Sequence, residues 1–147
     1  MLKLISWNID SLNAALTSAS PRAEMSRDVL NTIKEEDADF IAIQETKLPA
    51  GGPAKKHKEA LAEYFPGYQV EWVSAQPPAR KGYAGTMILC REGLKAEKSI
   101  PRIGAPGPMD DEGRLLVLES ENYYFVNVYT PNAGDGLKRL RDRQEWD

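Results

Sequence analysis

The sequence has one cysteine, one histidine and no apolar run approaching the roughly 18 residues of a membrane-spanning helix. The lone cysteine, Cys90, cannot close an internal disulfide, and its apolar setting marks it as a buried free thiol of a reducing compartment. The lone histidine, His57, falls on the apolar face of a short helical pattern, where a structural role is expected rather than that of a general base. No basic leader with an apolar core precedes the first strand-like segment, so a cytoplasmic protein without membrane association is expected. Neither sign of charge dominates: the net charge of -3 neither advertises nor excludes a nucleic-acid partner.

What is present is an ordinary globular composition, 41% hydrophobic and 28% charged over 147 residues, which predicts a folded unit rather than a disordered chain. Leu2 to Trp7 reads as a strand covered on both faces. Ser20-Pro21 supplies an N-cap and a first-turn proline for a helix from Pro21 to Glu35, with Met25, Val29, Leu30 and Ile33 at helical spacing. Asp39 to Gln44 reads as a buried strand that delivers Glu45 at its carboxyl end, and His57, Ala60, Leu61 and Tyr64 mark a second helix. Strands follow at Tyr68 to Ser74, Gly85 to Arg91, Lys95 to Pro101, Arg114 to Glu119 and Tyr123 to Thr130. A last helix is predicted from Asp135-Gly136 to Asp147 with Leu137 and Leu140 on one face. The turn-rich connections are too short to be interdomain linkers, and the chain carries no internal repeat.

Several residues can carry chemistry. Glu45, beside Lys47 at a strand end, either pairs with that lysine or holds a hard cation such as Mg²⁺, with Asp10 as a second carboxylate. Asn8 is a turn residue or an amide that fixes a neighbouring carboxylate. Tyr129, Asn132 and the Gly134-Asp135-Gly136 turn either cap a helix or present a phenol, an amide and backbone N–H groups to a phosphate. Arg80-Lys81-Gly82-Tyr83 combines cations with an aromatic on a loop, as a hairpin or a DNA-backbone contact would. Asp110-Asp111-Glu112-Gly113-Arg114 reads as a turn rather than a metal cluster, and Lys138, Arg139, Arg141 and Arg143 as the solvent face of a helix.

Three stretches, Ile5-Ser6-Trp7-Asn8-Ile9-Asp10, Ile43-Gln44-Glu45-Thr46-Lys47 and the run from Tyr129 to Trp146-Asp147, together resemble the exonuclease III and apurinic/apyrimidinic endonuclease family of DNA repair nucleases. The resemblance implies an α/β fold, the DNase I-like four-layer α-β-β-α sandwich, of which residues 1–147 form the N-terminal half of one endonuclease/exonuclease/phosphatase domain. It implies Mg²⁺, with Mn²⁺ able to substitute, and double-stranded DNA with abasic sites or 3′ ends as partner. It makes Glu45 the principal metal ligand with Asp10 beside the same ion, Asn8 part of the active-site hydrogen-bond network, Tyr129 and Asn132 phosphate-proximal catalytic residues, and Tyr83 and Lys47 DNA contacts. Asp135 stands where relatives carry a basic residue. The family's catalytic histidine, its preceding aspartate and an Asp-x-Asn pair have no counterpart in this sequence. One sheet and its helices are therefore expected, with an uncovered apolar sheet face that promotes self-association. Two other functions fit less of the sequence: a non-catalytic DNA-binding or subunit module, and another metal phosphoesterase of the same superfamily.

Overall fold

The computed structural model describes residues 1–147. In chain order the elements are β1 (Leu4–Asn8), α1 (Leu12–Thr17), α2 (Pro21–Glu35), β2 (Phe40–Gln44), α3 (Lys55–Tyr64), β3 (Tyr68–Val73), β4 (Thr86–Arg91), β5 (Glu97–Ser99), β6 (Leu115–Glu119), β7 (Tyr124–Val128) and α4 (Leu140–Trp146). Short 3-10 turns lie at Met109–Asp111 and Asp135–Leu137.

Two sheets are formed, not the one expected from the strand count. The first has the order β1-β2-β4-β3, with β1 parallel to β2 and the other pairs antiparallel; the second is an antiparallel β5-β6-β7 sheet. Strand alternation divides the core between them. Ile41 and Ile43 of β2 and Met87 and Leu89 of β4 meet Leu12, Leu30, Ile33 and Leu61 of the helices. On the opposite face, Phe40, Ile88 and Cys90 meet Leu116, Leu118 and Phe125 of the second sheet. β2, buried at all five positions, is the central plank of both cores. The layers are therefore helices, sheet and sheet. The exposed apolar residues include an outward stripe of β7, Tyr124, Val126 and Val128.

Local differences from the sequence reading have local causes. β1 is an edge strand whose Leu4, Ser6 and Asn8 face outward, so it is not covered on both faces. In α2 the cap is as expected, Ser20 Oγ accepting the Ala23 N–H at 3.2 Å, but Met25 and Val29 are exposed and Ala23, Leu30 and Ile33 are buried. Helix α1 escapes the pattern reading because six residues show no full period; Ser11 caps it by accepting the Ala14 N–H, and Leu12 and Ala15 bury. The terminal helix is broken at Gly136, which sits at φ +63°, and Leu137 and Leu140 are exposed rather than a buried face.

The two sheets are tied by one buried amide pair. Gln44 Nε2 donates to Asn127 Oδ1 at 2.7 Å, and Asn127 Nδ2 donates to the carbonyls of Ile43 (3.1 Å) and Met87 (2.8 Å). Asn127→Ala removes three hydrogen bonds, one to Gln44 Nε2, which keeps its bond to Ser6 Oγ at 3.0 Å, and two to the carbonyls of Ile43 and Met87, which face each other in the β2–β4 ladder. Urea unfolding should show a loss of roughly 2–4 kcal/mol, the worth of three hydrogen bonds at about 0.5–1.5 kcal/mol each; a loss below about 0.5 kcal/mol would contradict this role.

Candidate active site at the strand ends

The carboxyl ends of β1 and β2 run side by side, Asn8 opposite Gln44, so the residues that follow them emerge at one rim of the sheet. Glu45 follows β2 and Asp10 follows β1. Asn8 joins the two turns: its Nδ2 donates to Glu45 Oε1 at 3.0 Å, and its Oδ1 accepts the Asp10 N–H at 2.9 Å. Both lone-pair and N–H capacity of one short amide are thus used to fix a carboxylate and a turn.

Lys47 sits between the two acids, with Nζ 2.9 Å from Asp10 Oδ1 and 3.5 Å from Glu45 Oε2, and Arg22 also pairs with Asp10. The lysine named from sequence as a DNA contact therefore engages both acids in this structure. Its bond to Asp10, set against some desolvation, holds that carboxyl below its ordinary range. Tyr129 lies against Glu45, and burial together with that carboxylate raises its phenol far above the usual range, so it remains protonated.

Backbone strain concentrates here. Asp10 (φ +65°), Glu45 (φ +59°), Lys47 (φ +49°) and Ala84 (φ +48°) all occupy left-handed conformations that non-glycine residues avoid, at about 1–3 kcal/mol each. The strain is held by Thr46 N–H on the Gly85 carbonyl (3.1 Å) and Lys47 N–H on the Ala84 carbonyl (2.9 Å), which continue the β2–β4 pairing past the end of the strands. A Cβ at Gly85, itself at φ +85°, would run into Thr46 Oγ1.

The other residues named from sequence divide. Tyr83 Oη accepts from Arg114 Nη2 (2.9 Å) and Arg139 Nη1 (2.7 Å). Asn132 is exposed, and its Oδ1 accepts the Gly134 N–H at 2.7 Å in a turn; it makes no bond to Asn8, Asp10 or Glu45. His57 is a structural bridge: Nδ1 accepts the Ala54 N–H at 2.9 Å, so Nε2 carries the proton given to Asn13 Oδ1 at 2.8 Å. The acidic run is a turn, with Asp110 accepting backbone N–H groups of Ile103, Gly104 and Ala105, and Asp111 paired with Arg102. Cys90 is buried, and burial raises its thiol pKa.

Sequence reasoning passed over Gln44, Asn127, Glu112 and Arg114. A polar residue at an inward position of an otherwise apolar strand was the available sign for the first two. The sequence places Arg114 in the turn and at the start of the strand to Glu119 without marking it as buried, yet it is 2% exposed with Glu112 Oε2 2.6 Å from its Nε.

Glu45 and Asp10 are the oxygens that could hold a hard cation. They converge on a single positive group, and no cluster of three His, Cys, Asp or Glu side chains exists in the chain. An all-oxygen pair of this kind fits Mg²⁺, which takes one or two carboxylates and fills its octahedron with water and phosphate. In a ¹³C-NMR titration Asp10 should titrate below its ordinary 3.8, and Lys47→Met should move it upward. Because the folded value is depressed, the stability it contributes is fully present above 3.8 and disappears as pH falls through the lower folded value. An Asp10 titration unchanged by Lys47→Met would contradict the pairing.

Comparison with known proteins follows the same outline. The chain is 63% identical over 99% of its length to an exodeoxyribonuclease of Streptococcus pneumoniae and 36% identical to one of Bacillus subtilis. It is 32% identical to the DNA repair nuclease APEX1 of Danio rerio. It covers 53%, 49% and 41% of these proteins, about half the length of the curated relatives it matches. Among solved structures, an AP endonuclease from Leishmania major superposes with a TM-score of 0.68 at 26% identity, over 97% of this chain and 44% of that one. A Neisseria 3′ phosphatase bound to product DNA hairpin gives a TM-score of 0.68 at 20% identity, over 99% of this chain and 48% of that one, which supports the DNase I-like fold. No helix is long and apolar enough to cross a membrane. With a profile of the Endonuclease/Exonuclease/phosphatase family matching residues 5–147, and that fold and strand-end acid pair in place, the chain belongs to the Endonuclease/Exonuclease/phosphatase family.

Proposed function

We propose that this chain supplies the metal- and phosphate-binding part of a Mg²⁺-dependent DNA repair nuclease of the exodeoxyribonuclease III type, acting in the cytoplasm on abasic sites and 3′ ends of duplex DNA. The observation that carries the reading is the convergence of Asn8, Asp10, Glu45, Lys47 and Tyr129 on one rim. The named activities of the relatives support it.

Hydrolysis of a phosphodiester requires an activated water, charge stabilisation at the phosphoryl oxygens and protonation of the leaving oxygen. Glu45 and Asp10 would hold the cation, and Asn8 fixes the orientation of the first. Bound there, Mg²⁺, or Mn²⁺ in its place, would polarise a phosphoryl oxygen and offset the developing charge. Lys47 adds a second positive charge beside the acids, free to reach a phosphate once a metal ion neutralises them. Tyr129, kept protonated, can donate to a phosphate but not take a proton, and Asn132 presents its amide nitrogen from the following turn. No imidazole of this chain reaches the rim, because His57 is engaged between α1 and α3. As the resemblance to the nuclease family implies, we place the group that takes the water's proton outside these residues, and the isolated chain is expected to bind DNA without cutting it.

The test joins residues 1–147 to the C-terminal remainder of the Streptococcus pneumoniae relative and measures nicking of an abasic-site duplex. The fusion should nick in Mg²⁺ and not in EDTA. Asn8→Ala, which releases the carboxylate from its outer partner, should cost about 10–100-fold, and Glu45→Ala at least as much. The chain alone should bind the duplex with an affinity that falls as salt rises, without nicking it. An inactive, folded fusion, or one indifferent to Glu45→Ala, would overturn the reading.

A further inference from the structure

The turn that follows the acidic run carries a buried charge that the site described above does not use. Arg114 is 2% exposed, and its guanidinium reaches in three directions: Nε to Glu112 Oε2 at 2.6 Å, Nη1 to the Tyr129 carbonyl at 3.2 Å, and Nη2 to Tyr83 Oη at 2.9 Å. Its plane also covers the Tyr129 ring at 4.8 Å and the Tyr83 ring at 5.5 Å. The backbone doubles the link, the Tyr129 N–H donating to the Arg114 carbonyl at 2.8 Å. Gly113, at φ +66°, lets this segment press onto the backbone of Ser74 and Ala75, where a Cβ would lie 2.8 Å from the Ser74 carbonyl carbon. One fixed guanidinium thus holds both tyrosines, sharing Tyr83 with Arg139.

The consequence for Tyr83 is chemical. A phenol oxygen has two acceptor positions and one proton. Here both acceptor positions are filled, by Arg114 Nη2 and by Arg139 Nη1 at 2.7 Å, while Arg80 lies over the ring at 5.0 Å. Tyr83 can therefore only donate, and no acceptor of this chain is bonded to it. Flanked by three guanidinium groups, the outward O–H is suited to an anionic oxygen.

We propose that Arg114, held by Glu112, is a positioning residue that fixes Tyr83 as a dedicated hydrogen-bond donor to a DNA phosphate oxygen; this rests on the nuclease reading above. Arg114 acts through Tyr83 and does not itself touch the nucleic acid, whereas an exposed arginine contacting phosphate would act independently of the tyrosine. Its ion pair with Glu112 serves to place a charge where it is needed, since a buried pair is by itself a weak source of stability.

The test is a double-mutant cycle on the 147-residue chain, read as affinity for an abasic-site duplex by fluorescence anisotropy. Tyr83→Phe should weaken binding about tenfold, the worth of one hydrogen bond to a charged group, without changing the salt dependence. Arg114→Met alone leaves Glu112 buried and unpaired and is expected to unfold, so it is combined with Glu112→Gln, which keeps the turn neutral. That pair should weaken binding about tenfold in a chain that stays folded by circular dichroism. All three changes together should still cost only about tenfold, because the groups share one contact. A product near 100-fold for the triple variant, or wild-type affinity in Tyr83→Phe, would overturn the proposal while leaving the nuclease reading intact. No salt-dependent affinity in the wild-type chain would overturn that reading, and this proposal with it.

Discussion

The bond between the Gln44 and Asn127 amides is the constraint from which the rest of the structure follows. It spans 83 positions of sequence, lies wholly inside the sandwich and sets β7 of one sheet against β2 and β4 of the other. Gln44 immediately precedes Glu45, and Asn127 lies two residues before Tyr129. The same lock that aligns the sheets therefore brings a carboxylate and a phenol together at the rim. Apolar contacts between the faces, such as Phe40 against Phe125 at 4.9 Å, supply attraction without choosing a register. The amides choose it, because a slip of one residue would strand buried polar groups.

Beyond that lock, the rim is built from strain and charge. Left-handed turns at Asp10, Glu45 and Lys47 direct three charged side chains into one small volume. Such turns persist only where the surrounding structure over-determines them, and here the continued β2–β4 pairing and the Asn8 amide do so. Two like charges on Asp10 and Glu45 would repel at this distance. Lys47 and Arg22 offset them, so the acid pair is in place before any substrate arrives. Preformed, charged and partly exposed, the arrangement matches what a hard cation and a phosphate require.

Much of this was legible in the sequence, and the limits have physical causes. The buried strand Phe40–Gln44 and the capped helix Pro21–Glu35 declare themselves because an apolar run and a cap are local properties. Whether β1 is covered on one face or two depends on which strands flank it, and its edge position leaves Leu4 exposed. The same holds for Met25 and Val29, whose spacing is helical but whose side of the helix finds no neighbour. At the site, Asn8, Asp10 and Glu45, named from resemblance, lie together at one rim, with Tyr129 beside Glu45. Asn132, named on the same ground, is held in its own turn. Asn127 shows in the sequence only as a polar residue at an inward strand position, and Arg114 not at all, because the partners of both are fixed by tertiary pairing.

As proposed above, this rim is a preformed site for a divalent cation. The most direct measurement is a crystal structure of the chain soaked in MnCl₂, with anomalous differences recorded near the manganese edge. One strong peak is expected within about 2.0–2.3 Å of carboxylate oxygens of Glu45 and Asp10, as for a small hard cation. A folded crystal in which Mn²⁺ binds elsewhere, or in which the two carboxylates remain bridged by Lys47 at saturating metal, would contradict it.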